Sequence, residues 1–233
     1  MEALAKLARF YGPLHTSEPS DPFELVVWEN VAYLVDDARR RAAFDALRNG
    51  VGVEPAALVR AGVSAIERAI GDGGMLPGRR AEKVMRCAQI AIEYAGGDLG
   101  AALRDLEPQR ARALLKRFPG IGDPGADKIM LLAGLSRRPA LDSNGVRVLE
   151  RLGAVAPSSS YARSYRNAIE YLLERGVRTT RAGREAFERL RQHGRTLCKR
   201  ANPKCPDCPL LRSCVYGQKR RPLSAGASWG RGL

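Results

Sequence analysis

The chain has no apolar run approaching the length of a membrane span, and it opens without a secretory signal: MEALAKLARFYG is a short amphipathic stretch. It also lacks sustained alternation of apolar and polar residues between hairpin turns, so no substantial β-sheet is expected. No internal repeat recurs at a fixed period, which sets aside repeat architectures. Acidic residues are comparatively scarce. There are 25 Asp and Glu against 39 Lys and Arg, leaving a formal net charge of +14. A cationic surplus of that size points to a polyanion partner, through release of counterions from phosphates. A general solubility balance is the bland alternative. With 45% hydrophobic residues the chain can bury a core, so it is not a disordered basic tail. Its 233 residues suit one large or two small domains.

What is present is helical periodicity. Apolar residues recur every three or four positions in Leu4–Leu7–Ala8–Tyr11, Val84–Ala88–Ala91–Ala95, Tyr161–Tyr165–Ile169–Leu172 and Ala186–Leu190–His193–Leu197. Pro55 suits a first helical turn and Asp98 an N-cap. The stretch FELVVWENVAYLVDDARRR, residues 23–41, reads as one long helix. The Gly-, Ser- and Arg-rich residues 216–233 read as a basic flexible tail. An all-α fold follows.

Four cysteines cluster near the end: Cys198, Cys205, Cys208 and Cys214, spaced C-x6-C-x2-C-x5-C on a loop punctuated by Pro203, Pro206 and Pro209. Four-cysteine zinc sites usually pair two C-x2-C knuckles, and here there is only one. The spacing favours a 4Fe–4S cluster with one thiolate at each iron corner; zinc is the alternative. Disulfides do not suit a chain without a secretory signal. Cys87, alone in a helical pattern, reads as a small core residue.

At the centre runs LLKRFPGIGDPGADKIMLLAG, residues 114–134, with Phe118, Gly120, Gly122, Ala126 and Ile129 in a helix–hairpin–helix pattern. Gly120, Gly122 and Gly125 permit a tight turn whose N–H groups point outward beside a helix start, where a DNA phosphate can sit. A purely structural turn is open from PGIG alone. Next comes ALDSNGVRVLERLG, residues 140–153, in which Asp142 precedes a helix presenting Val146, Leu149 and Leu152 on one side. Taken by itself, Asp142 or Ser143 is simply an N-cap.

The hairpin, an Asp in an L-D-x-N-x-x-R-V-L context and the four-cysteine loop together resemble the endonuclease III branch of the helix–hairpin–helix DNA glycosylase superfamily. PFEL at 22–25, GRRAEKV at 78–84 and HGR at 193–195 extend the resemblance across roughly residues 22–214. It implies two helical lobes flanking a DNA-binding cleft. Residues 22–136 would form an inserted barrel carrying the hairpin. Residues 1–21 and 137–215 would form the iron–sulfur domain.

The resemblance also implies site residues. Asp142 would be the catalytic carboxylate, stabilising the oxocarbenium-like sugar or activating water. Glu29 falls where adenine- and mismatch-specific members keep a Glu. Flanked by Val27, Trp28 and Val31, it would have a raised pKa if buried and would then serve catalysis by protonating a purine leaving group or hydrogen-bonding a pyrimidine edge; an exposed helix carboxylate is the alternative. Tyr33 and Leu34 occupy the wedge position, or are ordinary core. Arg79 and Arg80 are expected phosphate contacts, and Met75 or Leu76 the intercalating tip. Strand-cutting members carry a nucleophilic Lys two residues after the second hairpin Gly, where this chain has Pro124. Lys128, four residues further on, is expected near the DNA and pointing along its helix. His193 reads as a structural hydrogen-bonding group, and His15 carries no signal.

The reading is a monofunctional glycosylase acting as a monomer on duplex DNA with a damaged or mismatched base. It would be cytoplasmic, and nucleoid-associated in a prokaryote. A catalytically silent DNA-binding protein and a glycosylase with lyase activity are the alternatives. The adenine-specific relatives carry a further C-terminal domain, and its absence after Leu233 argues against that specificity.

Overall fold

Residues 2–14 and 18–220 are described by the structure, a computed structural model. His15 and residues 221–233 of the expected tail lie outside them. In chain order the helices are α1 (Glu2–Tyr11), α2 (Pro22–Asn30), α3 (Asp37–Gly50), α4 (Pro55–Ala69), α5 (Pro77–Ala95) and α6 (Leu99–Asp105). Then come α7 (Pro108–Leu115), α8 (Asp123–Leu132), α9 (Ser143–Leu152), α10 (Tyr161–Glu174), α11 (Thr180–Thr196) and α12 (Val215–Lys219). Among the described residues the only β-pairing is an isolated bridge between Tyr33 and Gly74. No described helix is long and apolar enough to cross a membrane.

Local chemistry sets the helix starts. Proline stands in the first turn of α2, α4, α5 and α7, where its missing N–H has no intrahelical partner to lose. Asp21, Asp36 and Asp98 cap α2, α3 and α6, accepting from Phe23 N at 2.9 Å, Arg39 N at 2.8 Å and Ala101 N at 2.8 Å. The expected helix over 23–41 is in fact two. Its apolar pattern continues through Val31, Tyr33 and Val35, but the Tyr33 N–H leaves the helix to donate to Gly73 O at 2.9 Å. Leu34 then adopts a left-handed φ of 56°, and Asp36 starts α3. The tail also begins later than expected, because Val215–Lys219 is helical.

The chain divides into two compact units. One comprises residues 15–140 with Arg178–Arg184. Its centre is α2, whose Leu25, Val26, Val27 and Trp28 are all essentially inaccessible and pack against α5, α6 and α8. A helix apolar all round belongs in the middle of a bundle. Residues 178–184 join this unit through Thr180 Oγ1, which donates to Ser136 O at 3.0 Å, and Arg184, whose Nε donates to Leu131 O at 3.3 Å. The other unit comprises Met1–Leu14, Leu141–Val177 and residues 185–233. The sequence-based boundaries fell instead at 21/22 and 136/137. In the second unit Tyr11 Oη lies 3.0 Å from His193 Nδ1 and 2.8 Å from Thr196 Oγ1, and Arg189 Nη1 donates to Gly12 O at 2.6 Å. These contacts seat α1 on α11.

Candidate active site

In the unit containing α2, two loops stand side by side. The first, Val31–Asp36, carries Tyr33 and Leu34, which are 51% and 73% exposed; the second carries Met75 and Leu76, 59% and 49% exposed. These are not core residues. Leu34 and Leu76 both hold a positive φ, 56° and 57°, a conformation that costs a non-glycine residue about 1–3 kcal/mol. The pairing of Tyr33 with Gly73 and Gly74 joins the loops, and Arg80 fixes them from beneath. Its Nε donates to Met75 O at 2.9 Å; Nη1 donates to Val31 O and to Ile70 O at 2.8 Å; Nη2 donates to Gly71 O at 3.3 Å and Gly74 O at 2.9 Å. Arg80 is 4% exposed, and burial lowers the pKa of its guanidinium. This corrects its expected role. Arg80 is a buried clamp between backbones, whereas Arg79, one position earlier, is exposed.

Glu29 was expected to stand in an apolar setting. Its carboxylate is instead ion-paired with the ammonium of Lys128, whose side chain is only 11% exposed against 28% for Glu29. Lys128 therefore turns inward from α8 to α2 rather than lying along its own helix. Glu29 also lines a cavity of about 320 Å³ with Asn30, Tyr33, Leu76, Arg79 and Lys83. The Asn30 amide donates to Val26 O and Pro119 O, both at 3.0 Å, so α2 holds the hairpin directly.

In that hairpin Gly120 has φ +78°, and a Cβ there would come within 3.1 Å of Asn30 Oδ1. Gly122 caps α8 without a side chain, and Gly125 lies in the first turn, where a Cβ would press on Ile121 at 3.3 Å. Pro124 stands at the second helical position. Lys128 follows it by one turn on the same side of α8. Lys116 is ion-paired with Asp123 at 2.9 Å, and that hydrogen bond holds the Asp123 carboxyl below the usual range. Asp127, buried beneath, pairs with Arg112 at 2.6 Å and Arg138 at 3.5 Å.

In the other unit Asp142 caps α9, with Oδ1 accepting from Gly145 N at 2.9 Å. Oδ2 accepts from Asn144 Nδ2 at 2.8 Å and lies 3.6 Å from Arg191 Nε. Burial and the nearby Asp142 and Glu150 carboxylates push the Tyr161 phenol up to about 12. Sequence reasoning missed Arg191 and Tyr161; only the position of Arg191, two residues before HGR, hinted at it.

Cys198, Cys205, Cys208 and Cys214 are free thiols lining one pocket with Arg151, His193 and Tyr216. Donors reach the sulfurs: Leu210 N to Cys208 at 3.4 Å, Gly217 N to Cys214 at 3.4 Å and Arg151 Nη1 to Cys198 at 3.5 Å. Burial pushes the Cys208 thiol up to about 11 and raises that of Cys214. Such donors compensate thiolate charge, as a cluster with cysteine ligands needs. Among the described residues, no three or more His, Cys, Asp or Glu side chains converge as a single-ion site. His193 is buried, its Nε2 lies 3.5 Å from Cys208 Sγ, and burial lowers its pKa to about 4. Cys87 is buried in the first unit with its thiol pushed up to about 12 by burial. The loop side chains Lys199, Arg200, Lys204 and Arg212 are exposed.

No family model matches the sequence. The chain is 31% identical over 110 residues to a thymine/uracil-DNA glycosylase of Pyrobaculum aerophilum, covering 47% of this chain and 48% of that protein. It is 28% identical over 141 residues to endonuclease III of Bacillus subtilis, covering 60% and 58%. The matched regions thus span about half the length of these curated relatives. In structure it superposes on endonuclease III trapped covalently on DNA with a TM-score of 0.75 and 23% identity, covering 94% of this chain and 95% of the other. The chain is similar to endonuclease III and to thymine/uracil-DNA glycosylase over part of its sequence. Its all-α architecture is the endonuclease III fold, consistent with the helix–hairpin–helix superfamily.

Proposed function

We propose that the protein is a monofunctional DNA glycosylase of base excision repair. It hydrolyses the N-glycosidic bond of a damaged or mismatched base in duplex DNA and leaves an intact strand with an abasic site. The observation that carries this reading is the state of the amines around the hairpin. Pro124 has no amine to attack the sugar, Lys116 is held by Asp123 and Lys128 by Glu29. A Schiff base requires an uncharged, accessible amine.

Asp142 supplies the negative charge. Its carboxylate, fixed by Gly145 N–H, Asn144 and Arg191, stabilises cationic character at the sugar as the base departs and orients the attacking water. The exposed Tyr33, Leu34, Met75 and Leu76 fill the stack from which the base is taken. Arg79 and the hairpin N–H groups at Gly120, Gly122 and Gly125 hold backbone phosphate. Cys198, Cys205, Cys208 and Cys214 hold a 4Fe–4S cluster, which orders the exposed basic loop around Lys199, Arg200, Lys204 and Arg212. The protein works as a monomer.

A panel of duplexes, each with one lesion or mismatch, tests this reading. Base release is expected with strand cleavage only after alkali, and with no borohydride-trapped adduct. An adduct would restore the lyase alternative, and no release from any duplex would favour a silent DNA-binding protein.

A further inference from the structure

Behind the cysteine pocket runs a line of side chains to which base release gives no role. His193, 1% exposed, lines the pocket with its Nε2 lying 3.5 Å from Cys208 Sγ. Its other ring nitrogen, Nδ1, lies 3.0 Å from Tyr11 Oη. Tyr11 Oη in turn lies 2.8 Å from Thr196 Oγ1, which is 2.9 Å from Gln192 O. Tyr11 belongs to α1, and its ring makes T-shaped contacts with Phe10 and His193 at centroid distances of 4.9 and 6.0 Å. Those contacts fix the direction of the hydroxyl.

The positions of the protons follow from the sulfur end. A cysteine that holds a metal does so as a thiolate, which only accepts. The nitrogen facing Cys208 is then an N–H, and in a neutral imidazole the other nitrogen is an acceptor. Nδ1 therefore takes its hydrogen bond from the Tyr11 hydroxyl. With that one proton directed at Nδ1, Tyr11 Oη accepts from Thr196, whose own proton is shared with Gln192 O. Each donor from Thr196 to His193 points towards the sulfur. The Leu210 N–H, at 3.4 Å, is a second donor to the same atom.

We propose that Tyr11 and His193 form an outer layer of the cluster site, in which α1 holds the His193 Nε2–H against the Cys208 thiolate and raises the reduction potential of the cluster. The inference rests on the 4Fe–4S reading of the four cysteines and extends the site to a helix far from them in sequence. Neither residue is a ligand. His193 acts on the sulfur, and Tyr11 is a positioning residue that acts through His193. Reduction adds one electron, and part of its charge falls on the thiolate sulfurs. A hydrogen bond to a more negative sulfur is stronger, so the donor favours the reduced form over the oxidised one. The step is the gain of one electron from a one-electron donor, an electrode in the test below. No bond is broken and no proton moves.

The test uses the full chain purified without oxygen, with iron and acid-labile sulfide measured first. His193→Phe removes both ring nitrogens, Tyr11→Phe removes only the hydroxyl, and His193→Gln keeps an N–H at the end of the side chain. In a spectroelectrochemical titration His193→Phe should lower the ratio of reduced to oxidised cluster at a fixed potential by about three- to tenfold, the upper figure being about 59 mV for a one-electron couple. Tyr11→Phe should lower it by less, and His193→Gln should recover part of the loss. Tyr11→Phe combined with His193→Phe should match His193→Phe alone. Should His193→Phe fail to hold its cluster, the wild type decides. The chain has 2 histidines, and nitrogen NMR of histidine-labelled protein, assigned with His15→Gln, should show the His193 proton on Nε2 and Nδ1 bare. A proton on Nδ1, or wild-type potentials in both Tyr11→Phe and His193→Phe, overturns this inference and leaves the cluster standing. Stoichiometric zinc, or the absence of iron and sulfide, overturns both.

Discussion

Replacing Arg80 by methionine separates a structural arginine from a DNA-contacting one. Methionine keeps much of the aliphatic stem and removes the guanidinium, so the change falls mainly on the five backbone carbonyls it serves. Three of those bonds measure 2.8–2.9 Å. A hydrogen bond from a charged donor contributes about 1.5–3 kcal/mol, so these three amount to about 4.5–9 kcal/mol. Returning the guanidinium to water recovers several kcal/mol, since its burial is costly. The expected net loss is about 3 kcal/mol. For a protein of this length each kcal/mol moves the melting temperature by about 2–4 °C, giving a fall of about 6–12 °C by calorimetry. Arg79→Met is the comparison. It should leave stability within about 0.5 kcal/mol and reduce the slope of log affinity against log salt by about 0.9, the contribution of one phosphate. If Arg80→Met melts with the parent and shows the same reduction in slope, Arg80 contacts DNA and the clamp is wrong.

Asp142→Asn keeps a capping side chain on α9 and should retain fold and DNA affinity while losing base release by about a hundredfold or more in single-turnover assays; wild-type release would displace the active site from Asp142. Protein purified without oxygen should hold about four irons and matching acid-labile sulfide per chain, and stoichiometric zinc without sulfide would contradict the cluster. Pro124→Lys introduces an amine at the hairpin, and borohydride should then trap a covalent adduct with abasic DNA that the parent does not form; equal trapping by both would point to another amine. DNA affinity of the parent should fall steeply with salt in fluorescence anisotropy, and a flat response would assign the +14 surplus to another partner.

What the sequence made legible was local. Asp98 and Pro55 start helices because capping chemistry acts within one turn, and the four cysteines are close enough in sequence for their spacing alone to carry meaning. The break after Asn30 was hidden because Val31, Tyr33, Leu34 and Val35 continue an apolar pattern. What stops the helix is a hydrogen bond to Gly73, some forty residues away. Arg79 and Arg80 are indistinguishable as letters, and only the fold turns one inward beneath two loops. Glu29 was visible as an unusual carboxylate. Its partner was not, since Lys128 lies 99 positions further on and meets it only when α8 packs on α2.

The unit that carries Asp142 and the cysteines is stitched from both ends of the described chain. Tyr11 meets His193 across 182 positions, and Gly12 meets Arg189 across 177. During synthesis at about 5–20 residues per second, α1 therefore emerges roughly 10–40 s before its partners exist. Residues 15–140 can gather their own core in that interval. Leu4 and Leu7, buried in the finished protein, stay uncovered meanwhile, so the second unit closes only once the last third of the chain has been made.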